Sequence, residues 1–187
     1  MNEKERILLY GSNIWYFGEG MLGPLFAVFA GIIGGNILDI TWAWAIYLIV
    51  AGVMIMVVGR ISDEHISKEK LMILGYVLNT LFTFSYLLVS SPEHLFFVQT
   101  GLGIAAALAI PTWTALYAEH EDRKHAGFTW GLASGESSLL TGFAIIIGGL
   151  IVNFISFKAL FIVMGTVQII ATIVQARILK DYKKKKK

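Results

Sequence analysis

The chain has 187 residues, of which 56% are hydrophobic and 15% charged, with a formal net charge of +2 and no cysteine. Soluble domains carry about 25% charged residues, so this composition excludes water as the main solvent, and the missing cysteines exclude disulfides and thiolate metal sites. The apolar residues gather into long runs instead of amphipathic stripes, and a run of about 20 is what a helix needs to cross the hydrocarbon core of a bilayer.

Six such runs follow one another. The first, about 7–33, is too long for the hydrophobic part of a secretory signal, lacks a small-residue cleavage site, and is expected as a retained helix. It carries Trp15, Tyr16 and Glu19, with Pro24 as an expected kink. The second, about 41–58, opens with Trp42 and Trp44, which read as anchors at the membrane interface. A polar connection containing Arg60, Asp63 and Lys68 leads to the third run, about 71–89, and a short turn around Ser91 to the fourth, about 95–117. The fourth holds Thr112, Trp113 and a second expected kink at Pro111. The fifth, about 126–152, carries Glu136, and the sixth, about 159–179, is followed by a charged tail over 180–187. Six runs in series leave no polar face for a soluble bundle. The expectation is an all-α integral membrane protein, a single six-helix transmembrane domain over 1–187 with no loop long enough for a second one.

The positive charges fall on alternate connections. Lys4, Arg6, Arg60, Lys68, Lys70, Arg123, Lys124, Arg177, Lys180 and the run Lys183 to Lys187 share one side, and Lys158 stands alone on the other. Loops rich in Lys and Arg stay in the cytoplasm. A multi-pass protein of the cell membrane with both termini cytoplasmic is therefore expected. The terminal lysines serve as a topology anchor, or as a contact to anionic lipid worth about 1 kcal/mol per residue.

The stretch Gly59-Arg60-Ile61-Ser62-Asp63-Glu64-His65-Ile66-Ser67-Lys68 resembles the signature loop of the major facilitator superfamily, with Gly59, Asp63 and Lys68 at the glycine, acidic and basic places of that pattern. Gly18-Glu19-Gly20-Met21-Leu22-Gly23-Pro24 and Gly101-Leu102-Gly103-Ile104-Ala105-Ala106 add to the likeness. Ile66, Glu64 and Ser67 depart from the pattern, Phe97 stands where many members have an arginine, and the fifth run lacks the Gly-Pro pair of the antiporter signature. The resemblance implies half of a twelve-helix transporter, built as two three-helix inverted repeats. It also implies a cavity lined by the first and fourth helices, hence Trp15, Tyr16, Thr112 and Trp113 as cavity candidates, and a cytoplasmic gate at Gly59, Asp63 and Lys68. Members alternate access by rocking two six-helix halves around a midplane site. A single half implies a partner: a homodimer, closed two-fold pairing being the commonest oligomeric solution, or a second six-helix half. Pairing would bring Asp63 near the partner's fifth helix.

Glu19 and Glu136 each lie roughly 15 to 18 Å along their helices at 1.5 Å per residue, near the midplane. A charged side chain there costs roughly 2.5 to 3.5 kcal/mol on insertion scales. They are candidates for binding a proton or a cationic substrate. The alternative is a carboxyl hydrogen-bonded to another helix, with Asn13, Asn79 and Gln168 as available partners. Gly131, Gly135, Ser134, Ser138 and Gly142 form a small-residue face on which helices pack closely, inside the bundle or at a dimer seam.

Enzyme chemistry is not expected. Trp130-Gly131-Leu132-Ala133-Ser134-Gly135 resembles an intramembrane serine-protease loop only briefly, because Leu132 replaces a glycine and the sixth run has no histidine. His120 and His125 lack a further ligand set for metal, and no Gly-rich phosphate loop is present. No cofactor and no nucleic acid partner is indicated. The expected partners are the lipid bilayer and a small-molecule substrate. The function expected is a half-size secondary transporter with proton coupling; the alternative is a non-transporting membrane interaction protein or a truncated remnant.

Overall fold

Gly20, Gly23 and Pro24 sit within five residues of one another, and a proline supplies no backbone N–H to the helix ladder. In the computed structural model, which describes residues 3–64, 66–121 and 123–179, this combination divides the first hydrophobic run in two. Helix α1 covers Glu3–Gly20 and α2 covers Leu25–Ile32, joined by a turn at 21–24. Across the turn the amide of Phe26 still reaches the carbonyls of Leu22 and Gly23 at 3.1 and 3.2 Å, so helical hydrogen bonding resumes directly after the bend. Where the sequence suggested one span over 7–33, the proline and its flanking glycines make a break and not a gentle kink.

Beyond α2 the chain turns at Gly34, whose φ of +86° lies in the left-handed region that glycine adopts without a Cβ clash. Asn36 then opens the next helix: its Oδ1 accepts from the amides of Leu38 and Asp39, while Asp39 Oδ2 accepts from the Asn36 amide. This reciprocal pair satisfies orphan donors at a helix start. Helix α3 runs over Ile37–Glu64, α4 over Lys68–Ser85, α5 over Pro92–His120, α6 over Ala126–Phe154 and α7 over Phe157–Ala176. Tyr86–Leu88 and Arg123–His125 are single 3₁₀ turns. Among the described residues there are seven α-helices and no strand. Five of them, 37–64, 68–88 with its 3₁₀ turn, 92–120, 126–154 and 157–176, are long and apolar enough to cross a membrane. The charged tail from Lys180 onward lies outside the described residues.

Helix α3 continues to Glu64, so Asp63 belongs to its last turn and not to a loop. The Ser62 hydroxyl donates to the Gly59 carbonyl at 2.8 Å, and Arg60 pairs with Glu64 one turn on at 3.5 Å.

The helices choose their neighbours in a regular way. Helix α5 packs against α3 and α4, α1 packs against α6 and α7, and α4 packs against α7. Glycines allow these close approaches. A Cβ at Gly103 would lie 2.8 Å from the Tyr47 carbonyl oxygen, one at Gly75 would lie 2.7 Å from the Ala105 oxygen, and one at Gly148 would lie 2.0 Å from the Met21 oxygen. The last contact seats the break between α1 and α2 directly on α6. One apolar core gathers Phe29, Tyr86, Leu160 and Phe161 at one end of the bundle, and another gathers Leu8, Met72, Leu116 and Tyr117 at the other. The buried polar residues Asn79, Gln99, Gln168 and Gln175 lie on α4, α5 and α7.

Helices α3 and α6 are the least covered. Trp42, Ile49 and Met56 on α3, and Leu139, Phe143 and Ile146 on α6, remain exposed. Nothing lies within 4 Å of where a Cβ would stand at Gly131, Gly135 or Gly142, so these three glycines of α6 face open space.

Candidate functional site

Helix α1 places Ser12, Trp15, Tyr16 and Glu19 along one side of a cavity of about 430 Å³, at intervals of three to four residues that repeat on one helical face. Helix α5 supplies Gln99, Leu102, Ala109, Ile110, Trp113 and Thr114 opposite them. Helices α3 and α4 add Trp44, Tyr47, Tyr76 and Asn79, and α6 adds Trp130, Ala133, Ser134 and Ser137. Tyr16 and Trp44 retain 42% and 52% of their surface, so the cavity is open on one side.

Glu19 is the one acidic residue on this lining, and no lysine, arginine or histidine shares it among the described residues. Its carboxylate is held from two other helices. Asn79 Nδ2 donates to Glu19 Oε1 at 2.8 Å, and Gln168 Nε2 donates to the same oxygen at 3.1 Å while also reaching the Trp15 carbonyl at 3.2 Å. Gln168 approaches α1 at Gly18, where a Cβ would stand 2.6 Å from its Nε2. The small residue thus makes room for the amide that fixes the acid.

Glu136 has a different place. It does not line the cavity, and Asn13 Nδ2 donates to its Oε2, joining α1 to α6. Both acids therefore meet amide side chains of other helices, from the set of Asn13, Asn79 and Gln168 visible in the sequence.

The aromatic candidates divide likewise. Trp15 and Tyr16 line the cavity, Trp15 with its ring edge-on to Tyr76 at 4.4 Å between centroids. Trp113 also lines it, donates its indole N–H to the Leu8 carbonyl at 2.9 Å, and stacks on Tyr117 at 4.8 Å. Thr112 is fully buried and away from the lining; its hydroxyl donates to the Leu108 and Ala109 carbonyls, one turn back beside Pro111. Trp44, read from the sequence as an interface anchor, also lines the cavity beside Phe26 and Tyr47, at ring distances of 5.9 and 5.7 Å. Sequence reasoning missed Trp44, Tyr47, Tyr76 and Trp130 as lining residues. Their spacing looks like that of ordinary packing aromatics, and only the angle at which each helix meets its neighbours turns them inward.

At the end of the bundle where α3 and α5 finish and α4 begins, Lys68 meets two acids. Its Nζ lies 2.6 Å from Glu119 Oε1 and 3.8 Å from Asp63 Oδ1, with its own side chain only 23% exposed. Gly59 lies one turn before Asp63 with open space at its Cβ position. Glu119 on α5, absent from the sequence pattern, is the closer partner. Removing it is therefore expected to perturb this junction more than removing Asp63. In distance measurements between spin labels on α3 and α5, Glu119→Gln is expected to broaden the distribution and Asp63→Asn to change it less; the reverse order would assign the junction to Asp63. Exposed pairs of this kind are worth about 0 to 1 kcal/mol, enough to shift a poised equilibrium without unfolding the chain.

Comparison with known proteins places this geometry. The family model described as Major Facilitator Superfamily matches residues 8–187. The chain is 30% identical over 115 residues to the inner membrane metabolite transport protein YgcS of Escherichia coli, covering 56% of this chain and 26% of that protein. It is 24% identical over 164 residues to an uncharacterized MFS-type transporter of Methanocaldococcus jannaschii, covering 88% of this chain and 42% of that protein. The solved structure of the POT family transporter PepTSo superposes with a TM-score of 0.73 over 94% of this chain and 37% of its own, at 8% identity, which is a likeness of fold alone. The chain thus spans less than half the length of each of these relatives.

Proposed function

Because the chain belongs to the major facilitator superfamily and is a multi-pass membrane protein of that fold, we propose that it is a half-size secondary transporter. In this reading it moves a small solute by alternating access with proton coupling, and pairs with a second copy of itself. The observation that carries the reading is Glu19: a carboxylate deep in a bilayer-spanning bundle, on the wall of an aromatic cavity, positioned by amides from two other helices. An intramembrane acid that faces a cavity and not lipid marks a solute or proton path.

The neighbour pattern supports two inverted repeats within six spans, with α1 and α2 together forming the first. Helices α1 and α5 open the two triplets, and each packs on the second and third helices of the other: α1 on α6 and α7, α5 on α3 and α4. Helices α4 and α7, third in each triplet, pack on one another. This exchange of partners is what a two-fold axis in the membrane plane would generate.

Pairing is supported by the faces left uncovered. Helices α3 and α6 carry exposed apolar residues, and the glycines of α6 have open space where a neighbouring backbone would fit. The cavity is open, so a second six-helix body would complete its wall. Both termini cytoplasmic, as the basic residues suggest, would then hold for both copies.

The oligomeric mass of the purified chain in lipid nanodiscs, measured by native mass spectrometry, tests the pairing. A dimer that carries solute flux in proteoliposomes is expected. A persistent monomer without flux would favour a missing partner half or a membrane interaction protein.

A further inference from the structure

We propose that the solute is an organic cation with a single positive charge, and that it exchanges with a proton at Glu19. The inference rests on the reading of this cavity as the transport site, and adds the chemistry of what it holds.

Three observations converge. Glu19 is the sole charged side chain on a lining that, among the described residues, holds no basic residue, so an anion would find no counter-charge there, whereas a cation would meet the carboxylate directly. The two amide donors from Asn79 and Gln168 both converge on Oε1, which leaves Oε2 for a ligand. Nine of the lining residues are aromatic, and the faces of indole and phenol rings attract cations, most strongly where water is thin. Trp15 and Tyr76, Trp44 and Tyr47 make two such ring pairs on the wall that also holds Glu19.

One oxygen cannot hold both a proton and a cation. Arrival of the cation releases the proton from the carboxyl to water, and reprotonation releases the cation, so one positive charge replaces one other at the site. The coupling is therefore an exchange, with cation and proton moving in opposite directions.

The test uses the chain in nanodiscs and three probes of similar shape: phenyltrimethylammonium, neutral tert-butylbenzene and anionic benzenesulfonate. Calorimetry is expected to show binding of the cation over both others, with proton release into a weakly buffered solution and weaker binding at pH 5 than at pH 8. Glu19→Gln is expected to weaken cation binding about tenfold or more, as loss of one partner of a desolvated charge pair does, and to abolish proton release. Because Glu19 also organises Asn79 and Gln168, Trp44→Leu provides an independent probe. It is expected to weaken the cation about threefold, in the range of a cation–π contact, and to weaken tert-butylbenzene less than the cation. Binding of benzenesulfonate or tert-butylbenzene as tight as the cation, or no cation binding, overturns the assignment and leaves transport of another solute to be measured in proteoliposomes. Selective cation binding without flux would uphold the site and sink the transport reading instead.

Discussion

Glu19→Gln is expected to abolish flux driven by a pH gradient in proteoliposomes while leaving the protein folded in the membrane. Glutamine keeps the shape and can still accept from Asn79 Nδ2 and Gln168 Nε2 through its carbonyl oxygen, so the three-helix junction of α1, α4 and α7 survives. What it cannot do is take up and release a proton. If that step couples the two directions of the cycle, net proton-driven flux falls by at least about tenfold, a barrier change of roughly 1.4 kcal/mol or more. Unchanged flux would remove Glu19 from the mechanism. Glu136→Gln is the natural comparison, because Glu136 bonds Asn13 and lies off the cavity lining. A larger loss there would move the proton site to the α1–α6 contact.

Gly148→Val is expected to cost more stability than any other single glycine change on α6. A Cβ at this position would stand 2.0 Å from the Met21 carbonyl oxygen and 2.8 Å from its carbon. Those are backbone atoms of the turn that joins α1 to α2, which cannot rotate aside as a side chain would. Either α6 moves away from α1 or the turn at 21–24 distorts, and overpacking of a close contact costs roughly 1 to 3 kcal/mol or more. The expected result is a lower unfolding temperature in detergent and reduced yield of folded protein. Gly131→Val and Gly135→Val meet open space within the chain and are expected to fold normally, yet to weaken dimerisation if the α6 face is the seam. Equal tolerance at Gly148 would mean that the break rests on other contacts.

The two experiments divide the glycines and acids of this chain by role, which their sequence spacing alone does not. Gly131, Gly135, Gly142 and Gly148 lie along one helix, and only the structure shows that one contacts a carbonyl oxygen while three face outward. Glu19 and Glu136 sit at similar depth in their hydrophobic runs. The placement of α5 between α3 and α4, and of α1 between α6 and α7, puts one on an aromatic cavity and the other on an amide at the α1–α6 contact.

The same distinction governs the aromatic residues. Trp15, Tyr16 and Trp113 were legible as cavity residues through the family resemblance of the first and fourth helices, and the structure places all three on the lining. Thr112, their companion, turns its hydroxyl onto its own helix beside Pro111 and is fully buried. One residue is about 100° of helix rotation, enough to move a side chain from a cavity to a packed interface. Trp44, expected only as an interface anchor, stands on the cavity wall as well.

By itself, the sequence determined the solvent and the elements: hydrocarbon leaves no water to pair exposed backbone polar groups, so long apolar runs had to become helices, and Gly59, Asp63 and Lys68 carried enough of a family pattern to suggest the architecture. Tertiary structure alone decided that the first run breaks at Pro24, that Glu119 and not Asp63 lies closest to Lys68, and that Asn79 and Gln168 converge on Glu19. These contacts join residues as far as 149 positions apart in the chain. Hydropathy reports the environment of one segment at a time, whereas the partner of a buried polar group is set by which helices lie side by side and by how each is rotated about its axis.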